Sequence, residues 1–164
     1  MDNFTSGFLE RGRAGVLLDT NILLLFVVGS FAREQIPHFK RTIMFTKEDF
    51  DILDRFLMQF KNIVTTPNIL TEVSNLSAQW KGRYKDAYFK VLAHSITVLD
   101  EHYLPSDEIS SMDEFKSFGL TDAGMLQLAR DRYLVVTDDL RLYQYLLGKG
   151  VAAINFNHIR VENW

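Results

Sequence analysis

Short apolar runs alternate along this chain with longer stretches whose apolar residues recur at helical spacing, and that alternation is what most restricts its fold. "VLLDTN" (16–21) reads as a short buried strand ending at Asp19, and "YLVVT" (133–137) as a second one. "NIVTT" (62–66), "SITVL" (95–99) and "VAAINF" (151–156) are further strand candidates. "ILLLFVVG" (22–29) has no alternation and suits a buried helix or a strand. Helix is the expectation, because a strand turning straight into a helix is common in α/β domains. Thr46 with Asp49 forms a capping-box pattern, followed by Phe50, Leu53, Phe56, Leu57 and Phe60 at helical spacing. Thr66 before Pro67 is a helix start, an N-cap with proline in the first helical position. An amphipathic stretch runs from about Ala78 to His94. Thr121 is read as the cap of a helix reaching about Arg132, and "DDLRLYQYLLGKG" as a helix ended by glycine. Strands alternating with helices predict an α/β fold with a mainly parallel sheet and helices on both faces.

Composition narrows the class. The 164 residues suffice for one domain with a sizeable core, and no repeat or linker divides them. Cysteine is absent, which excludes a disulfide framework and thiolate metal sites and suits a cytoplasmic setting. The start "MDNFTSGFLERGRAG" has no long apolar core, so no signal peptide is expected. The longest apolar run, Ile22 to Val28, is far too short to span a bilayer, and no membrane partner is expected. The net charge of −3 argues against nucleic-acid binding by a broad basic surface alone. Five of the acids belong to the group described next, and without them the charge is −3 + 5 = +2.

In an open parallel sheet, ligands bind beyond the carboxyl ends of the strands. Asp19 ends one apolar strand, and Asp138 and Asp139 end another. Each could equally cap the helix that follows. Asp122 lies just after Thr121, where a helix dipole favours a carboxylate. Glu72 shares or borders the face of Ile69, Val73 and Leu76. A carboxylate against an apolar stripe needs a partner. Either a lysine or arginine pairs with it, or it belongs to a metal-binding group. Hard divalent cations such as Mg²⁺ take carboxylate oxygens, and one or two of them can serve phosphodiester hydrolysis.

Four segments carry a family resemblance: "LLDTNILL" (17–24), "TPNILTEV" (66–73), "LTDAGMLQLA" (120–129) and "LVVTDDLRLYQYL" (134–146). In this order and approximate spacing they resemble the PIN-domain nucleases, over about residues 15–156, with a short lead at 1–14. The resemblance implies a PIN-like three-layer α/β/α fold. It implies Asp19, Glu72, Asp122 and Asp139 as a catalytic, metal-binding tetrad, with Asp138 in the variable position and able to assist or merely cap. Asn21 and Thr137 match supporting polar residues, and the implied cofactor is Mg²⁺ or Mn²⁺, one or two ions. The implied activity is that of a metal-dependent endoribonuclease, a toxin of a toxin–antitoxin or defence system being one form. RNA would be the substrate, and an antitoxin protein or a homodimer are partners such a protein can have. The chain is longer than the compact toxin members between Gly29 and Asn62, which leaves subfamily and substrate open.

Other families fit less well. Haloacid-dehalogenase phosphatases need an aspartate two residues after the first, where this chain has Asn21. A receiver domain would want an acidic pair where Asp19 stands alone, and no phosphate loop of the Walker type occurs. The histidines at 38, 94, 102 and 158 have no zinc-ligand spacing. The six acids of 100–114 are expected on a solvated loop and helix face. Two basic stretches are candidates for substrate contact: Arg33, Lys40 and Arg41 in one, Lys81, Arg83 and Lys85 in the other, with Trp80, Tyr84 and Tyr88 interleaved. The alternative is that the aromatics are core and the bases solvated. Two other readings stand beside the ribonuclease: a DNA or flap nuclease, and a catalytically silent module that binds RNA or protein.

Overall fold

The computed structural model describes residues 14–130 and 132–162; almost all of the 1–14 lead lies outside them. Five strands form one sheet: β1 (Val16–Leu18), β2 (Ile63–Thr65), β3 (Asp100–Glu101), β4 (Leu134–Thr137) and β5 (Ala153–Asn155). Their order is β3-β2-β1-β4-β5, and every pairing is parallel. The sheet is thus wholly rather than mainly parallel. Val16, Leu17, Leu18 and the whole of Leu134–Thr137 are buried, as strands covered on both faces must be.

Among the described residues, eight α-helices connect and cover these strands: α1 (Thr20–Ala32), α2 (Lys47–Leu57), α3 (Pro67–Ser77), α4 (Arg83–Val98), α5 (Ser106–Ser110), α6 (Phe115–Ala129), α7 (Leu140–Gly148) and α8 (Phe156–Glu162). The result is a three-layer α/β/α fold. Helix α1 packs against α2, α3 and α4, and α6 packs against α5 and α7. The run 22–29 is helical and almost wholly buried, which explains why it shows no polar face. Gly29 is required there. A Cβ in its place would stand 2.1 Å from the Phe50 ring, so glycine lets α1 and α2 approach. The Thr46–Asp49 capping box and the Thr66–Pro67 start form as the sequence predicts.

Several expectations are corrected. "SITVL" is mostly the last turn of α4, not a strand. Tyr88, Leu92 and Ser95 continue one buried helical stripe, and this packing overrides the β-branched propensity of Ile96, Thr97 and Val98. The strand that follows is only Asp100–Glu101, at the sheet edge. Helix α4 starts at Arg83 rather than near Ala78, after Gly82 with φ 60°. Helix α6 starts at Phe115 and ends at Ala129, short of Arg132. Gly119 breaks it with φ 78° and ψ −176°. Asp122 therefore still sits in the first turn after a break, but Thr121 is no cap. The chain does not finish on β5: Phe156 opens α8. The acids of 100–114 are not all solvated, because Glu114 is buried.

Candidate functional site

Sequential connections run from β1 outward to β2 and β3, then return to β4 beside β1 and run outward to β5. The direction reverses between β1 and β4. That crevice, at the carboxyl ends, is where ligands bind in sheets of this kind. Asp19 directly follows β1, and Asp138 and Asp139 directly follow β4. The two strands are in register, Leu18 opposite Val136, and the Asp19 N–H donates to Val136 O at 3.0 Å. Both sets of acids thus stand on one rim.

Asp19 is 7% exposed. Its Oδ1 accepts from the Ile22 N–H at 2.9 Å, so it does cap α1. Its Oδ2 accepts from the Asp138 N–H at 3.1 Å. Burial, and then the charge of Asp138, push its pKa up to about 7 against the pull of hydrogen bonds from Thr137, Ile22 and Asp138. Asp138 is oriented in turn by Asn21, whose Nδ2 donates to Oδ1 at 3.1 Å. Asn157 Nδ2 donates to the Asp138 carbonyl at 3.0 Å, a support from α8 that the sequence did not signal. The Thr137 hydroxyl accepts from the Asp139 N–H at 3.0 Å.

Asp139 caps α7, its Oδ1 accepting from the N–H groups of Arg141 at 2.7 Å and Leu142 at 3.0 Å. Capping occupies one oxygen of this carboxylate. Asp122 is half-buried. Burial first, then the charges of Glu72 and Asp139, push its pKa up to about 6. Its neighbours therefore join α3, α6 and α7 into one acidic group.

Glu72 is exposed, although Ile69 and Val73 beside it are buried. Its Oε2 accepts from the Thr20 hydroxyl at 2.8 Å and its Oε1 from the Thr121 hydroxyl at 2.5 Å. Among the described residues no lysine, arginine or histidine pairs with it. A salt bridge is thus not what holds Glu72. Two threonines hold it, one following Asp19 and one preceding Asp122. Thr20 did not stand out in the sequence, and Thr121 stood out only as a cap; their place beside the acids was the available signal.

The acids fit a hard divalent cation in chemistry: all are carboxylates, two of them hold their protons unusually well, and among the described residues no lysine or arginine forms an ion pair with them. Among the described residues no three His, Asp or Glu side chains stand as a ready-made metal cage. Mg²⁺ does not demand one, since it commonly takes one or two carboxylates and keeps several waters.

The basic stretches lie elsewhere. Arg33 follows the last residue of α1, roughly 20 Å along the helix from Asp19 at about 1.5 Å per residue. It pairs with Asp51. Trp80 and Tyr84 pack against Phe31 near that same end, and Trp80 stacks on Phe39 at 4.4 Å. Arg33, Lys40, Arg41, Lys81, Arg83 and Lys85 are exposed, and among the described residues none forms an ion pair with the acids of the site. Trp80 and Tyr88 are core residues, while Tyr84 is 37% exposed.

A second acidic centre escaped the sequence. Glu114 Oε1 accepts from Tyr145 Oη at 3.2 Å and pairs with Lys149 at 3.3 Å and Arg130 at 3.5 Å. It ties α6 to α7 and has the partners that Glu72 lacks. No helix among the described residues is long and apolar enough to cross a membrane. In comparisons with family models, curated proteins and solved structures, nothing matches this chain.

Proposed function

We propose that this protein is a metal-dependent nuclease of the PIN type, acting as an endoribonuclease. The observation that carries the reading is an unneutralised carboxylate group at the reversal point of the sheet. Asp19 and Asp122 there have raised pKa values, with acids rather than bases beside them. Capping α1 and α7 accounts for Asp19 and Asp139 singly but not for gathering further acids beside them, which makes the group a functional-site candidate. Structural ion pairs look different, as Glu114 illustrates.

Asp19, Asp122 and Asp139 would hold Mg²⁺ or Mn²⁺, with Glu72 and Asp138 contributing. When bound, the metal supplies Lewis-acid chemistry and a lowered pKa for water. The chain does the rest. Asp19 is fixed by two backbone N–H donors, so its lone pairs are aimed before any ligand arrives. Asn21 orients Asp138, and Thr20 with Thr121 orients Glu72. The raised pKa values of Asp19 and Asp122 belong to the metal-free site, and binding a cation there would displace their protons.

The test is cleavage of single-stranded RNA and of DNA by purified protein, with Mg²⁺ or Mn²⁺ and with excess chelator. RNA cleavage that stops on chelation and in Asp122→Asn is the expected result. Preferential DNA cleavage would make it a DNA or flap nuclease. Binding without cleavage of either would make it a silent module. Cleavage undiminished in chelator would remove the metal mechanism. A toxin role and an antitoxin partner would follow from growth arrest on expression, relieved by a neighbouring gene product.

A further inference from the structure

Carboxylates repel a phosphate, so a nucleic-acid strand approaching them gains from a cationic side chain at the rim as well as from bound metal. Among the basic residues, Arg141 stands nearest in the chain to one of these acids. Arg141 lies two residues after Asp139, in the first turn of α7, and its N–H donates to the Asp139 carboxylate at 2.7 Å. Its guanidinium does not follow that backbone contact. It lies over the Phe118 ring, 4.9 Å from the centroid, and among the described residues it pairs with no carboxylate. An exposed arginine beside several acids would ordinarily fall onto one of them. Here an aromatic face holds it instead.

A ring under the guanidinium takes none of its five N–H donors as a carboxylate would, and among the described residues no carboxylate takes them. Phe118 is itself fixed against Tyr145, with centroids 4.7 Å apart. It precedes the break at Gly119, beyond which Thr121 reaches Glu72 and Asp122 joins the acids. Arg141 and Phe118 therefore approach the acidic group from its two flanking helices, α7 and α6. A planar fork that is unpaired among the described residues, two positions after Asp139, suits the non-bridging oxygens of a phosphodiester.

We infer that Arg141 is the phosphate-gripping residue of the acidic site and that Phe118 is its positioning residue, the ligand being a nucleic-acid strand whose phosphate is drawn to the rim between α6 and α7. This rests on the nuclease reading for its substrate but is tested apart from it. The probe is a short fluorescein-labelled single-stranded RNA, with the matching DNA as a second arm. Its anisotropy is measured with Ca²⁺, and with chelator, over a range of salt.

Arg141→Ala should weaken binding about tenfold to a hundredfold, as expected for a lost charge-assisted hydrogen bond. It should also lower the salt slope by about 1. Arg141→Lys should recover the slope but not the full affinity, since a point charge cannot grip two oxygens. Phe118→Leu should weaken binding less, leave the salt slope unchanged, and spare the melting temperature. The triple change Lys81→Ala, Arg83→Ala, Lys85→Ala should leave affinity unchanged. Wild-type affinity in Arg141→Ala would overturn the inference, as would loss of binding in the triple variant alone. So would a wild-type protein that binds neither strand. Tight, Arg141-dependent binding without cleavage would instead retire the hydrolytic reading and leave the phosphate grip standing.

Discussion

Asp138 both supports and opposes the charge on Asp19: its N–H donates to Asp19 Oδ2 at 3.1 Å, while its carboxylate raises the Asp19 pKa. Holding two carboxylates together in this way has a consequence for stability. The buried carboxyl of Asp19 keeps its proton up to about pH 7, whereas an unfolded one loses it near 3.8. Asp122 behaves the same way up to about 6. Between these limits the folded chain binds more protons than the unfolded chain, so stability falls as pH rises.

The metal-free protein should therefore melt at a higher temperature near pH 5 than near pH 8. The difference attributable to the site is on the order of 4 kcal/mol at one pKa unit per 1.36 kcal/mol. Added Mg²⁺ should shrink it by stabilising the ionised site. Scanning calorimetry across that range, with chelator and with Mg²⁺, checks this. A rise in stability from pH 5 to 8 without metal would show that the acids are neutralised by something else.

Asp122→Asn should remove most cleavage and leave the metal-free fold as stable or up to about 2 kcal/mol more so at pH 8, because it removes a carboxylate between Glu72 and Asp139. Asp139→Asn should also lose most cleavage while keeping its cap, since asparagine caps as well as aspartate. Asp138→Asn should be milder. Paired cleavage rates and melts give the comparison. If Asp138→Asn were the more damaging of the two, the fourth acid of the set would be Asp138.

Glu72→Gln should lower cleavage and change the metal-free stability by less than about 1 kcal/mol, because only hydroxyls hold it and its side chain is exposed. Breaking a buried ion pair would cost about 3–5 kcal/mol. Thr121→Val should reproduce the loss of activity, and Thr121→Ser should restore it. A large loss of stability in Glu72→Gln, with cleavage intact, would make Glu72 part of the scaffold.

Glu114 should behave in the opposite manner. Its pKa is lowered, chiefly by hydrogen bonding to backbone, and then by Lys149 and Tyr145 against the effect of burial. Glu114→Ala should cost about 1–3 kcal/mol through the lost Tyr145 and cation contacts, with or without Mg²⁺. Its stabilising effect should fade as pH drops below its ordinary value of 4.5. Thermal melts in chelator check this, and a stability loss that appeared only with metal would place Glu114 in the functional site.

The central strands were legible because burial on both faces leaves no polar position in "VLL" and only Thr137 in "LVVT". The acids at their ends were legible for the same reason: the strand stops where the first carboxylate stands. The edge strand Asp100–Glu101 was not, because two acids carry no hydrophobic signal and only pairing with Val64 and Thr65 makes them a strand. Glu114 was unreadable because its partners Arg130, Tyr145 and Lys149 come from distant turns of two helices. Thr121 looked like a cap because the backbone break lies at Gly119, a conformation that sequence spacing does not reveal.

The central pairing of β1 with β4 joins residues far apart in the chain, as the Asp138–Asp19 bond across 119 positions shows. During synthesis β1 emerges early and waits for most of the domain before its neighbour exists. Until then a wholly apolar strand has one open side in the middle of the future sheet, an edge that invites association with other chains and a chaperone's attention. The same delay means that no partial chain lacking β4 can assemble the acids. Whatever chemistry they perform can begin only once β4 has joined β1 in the sheet.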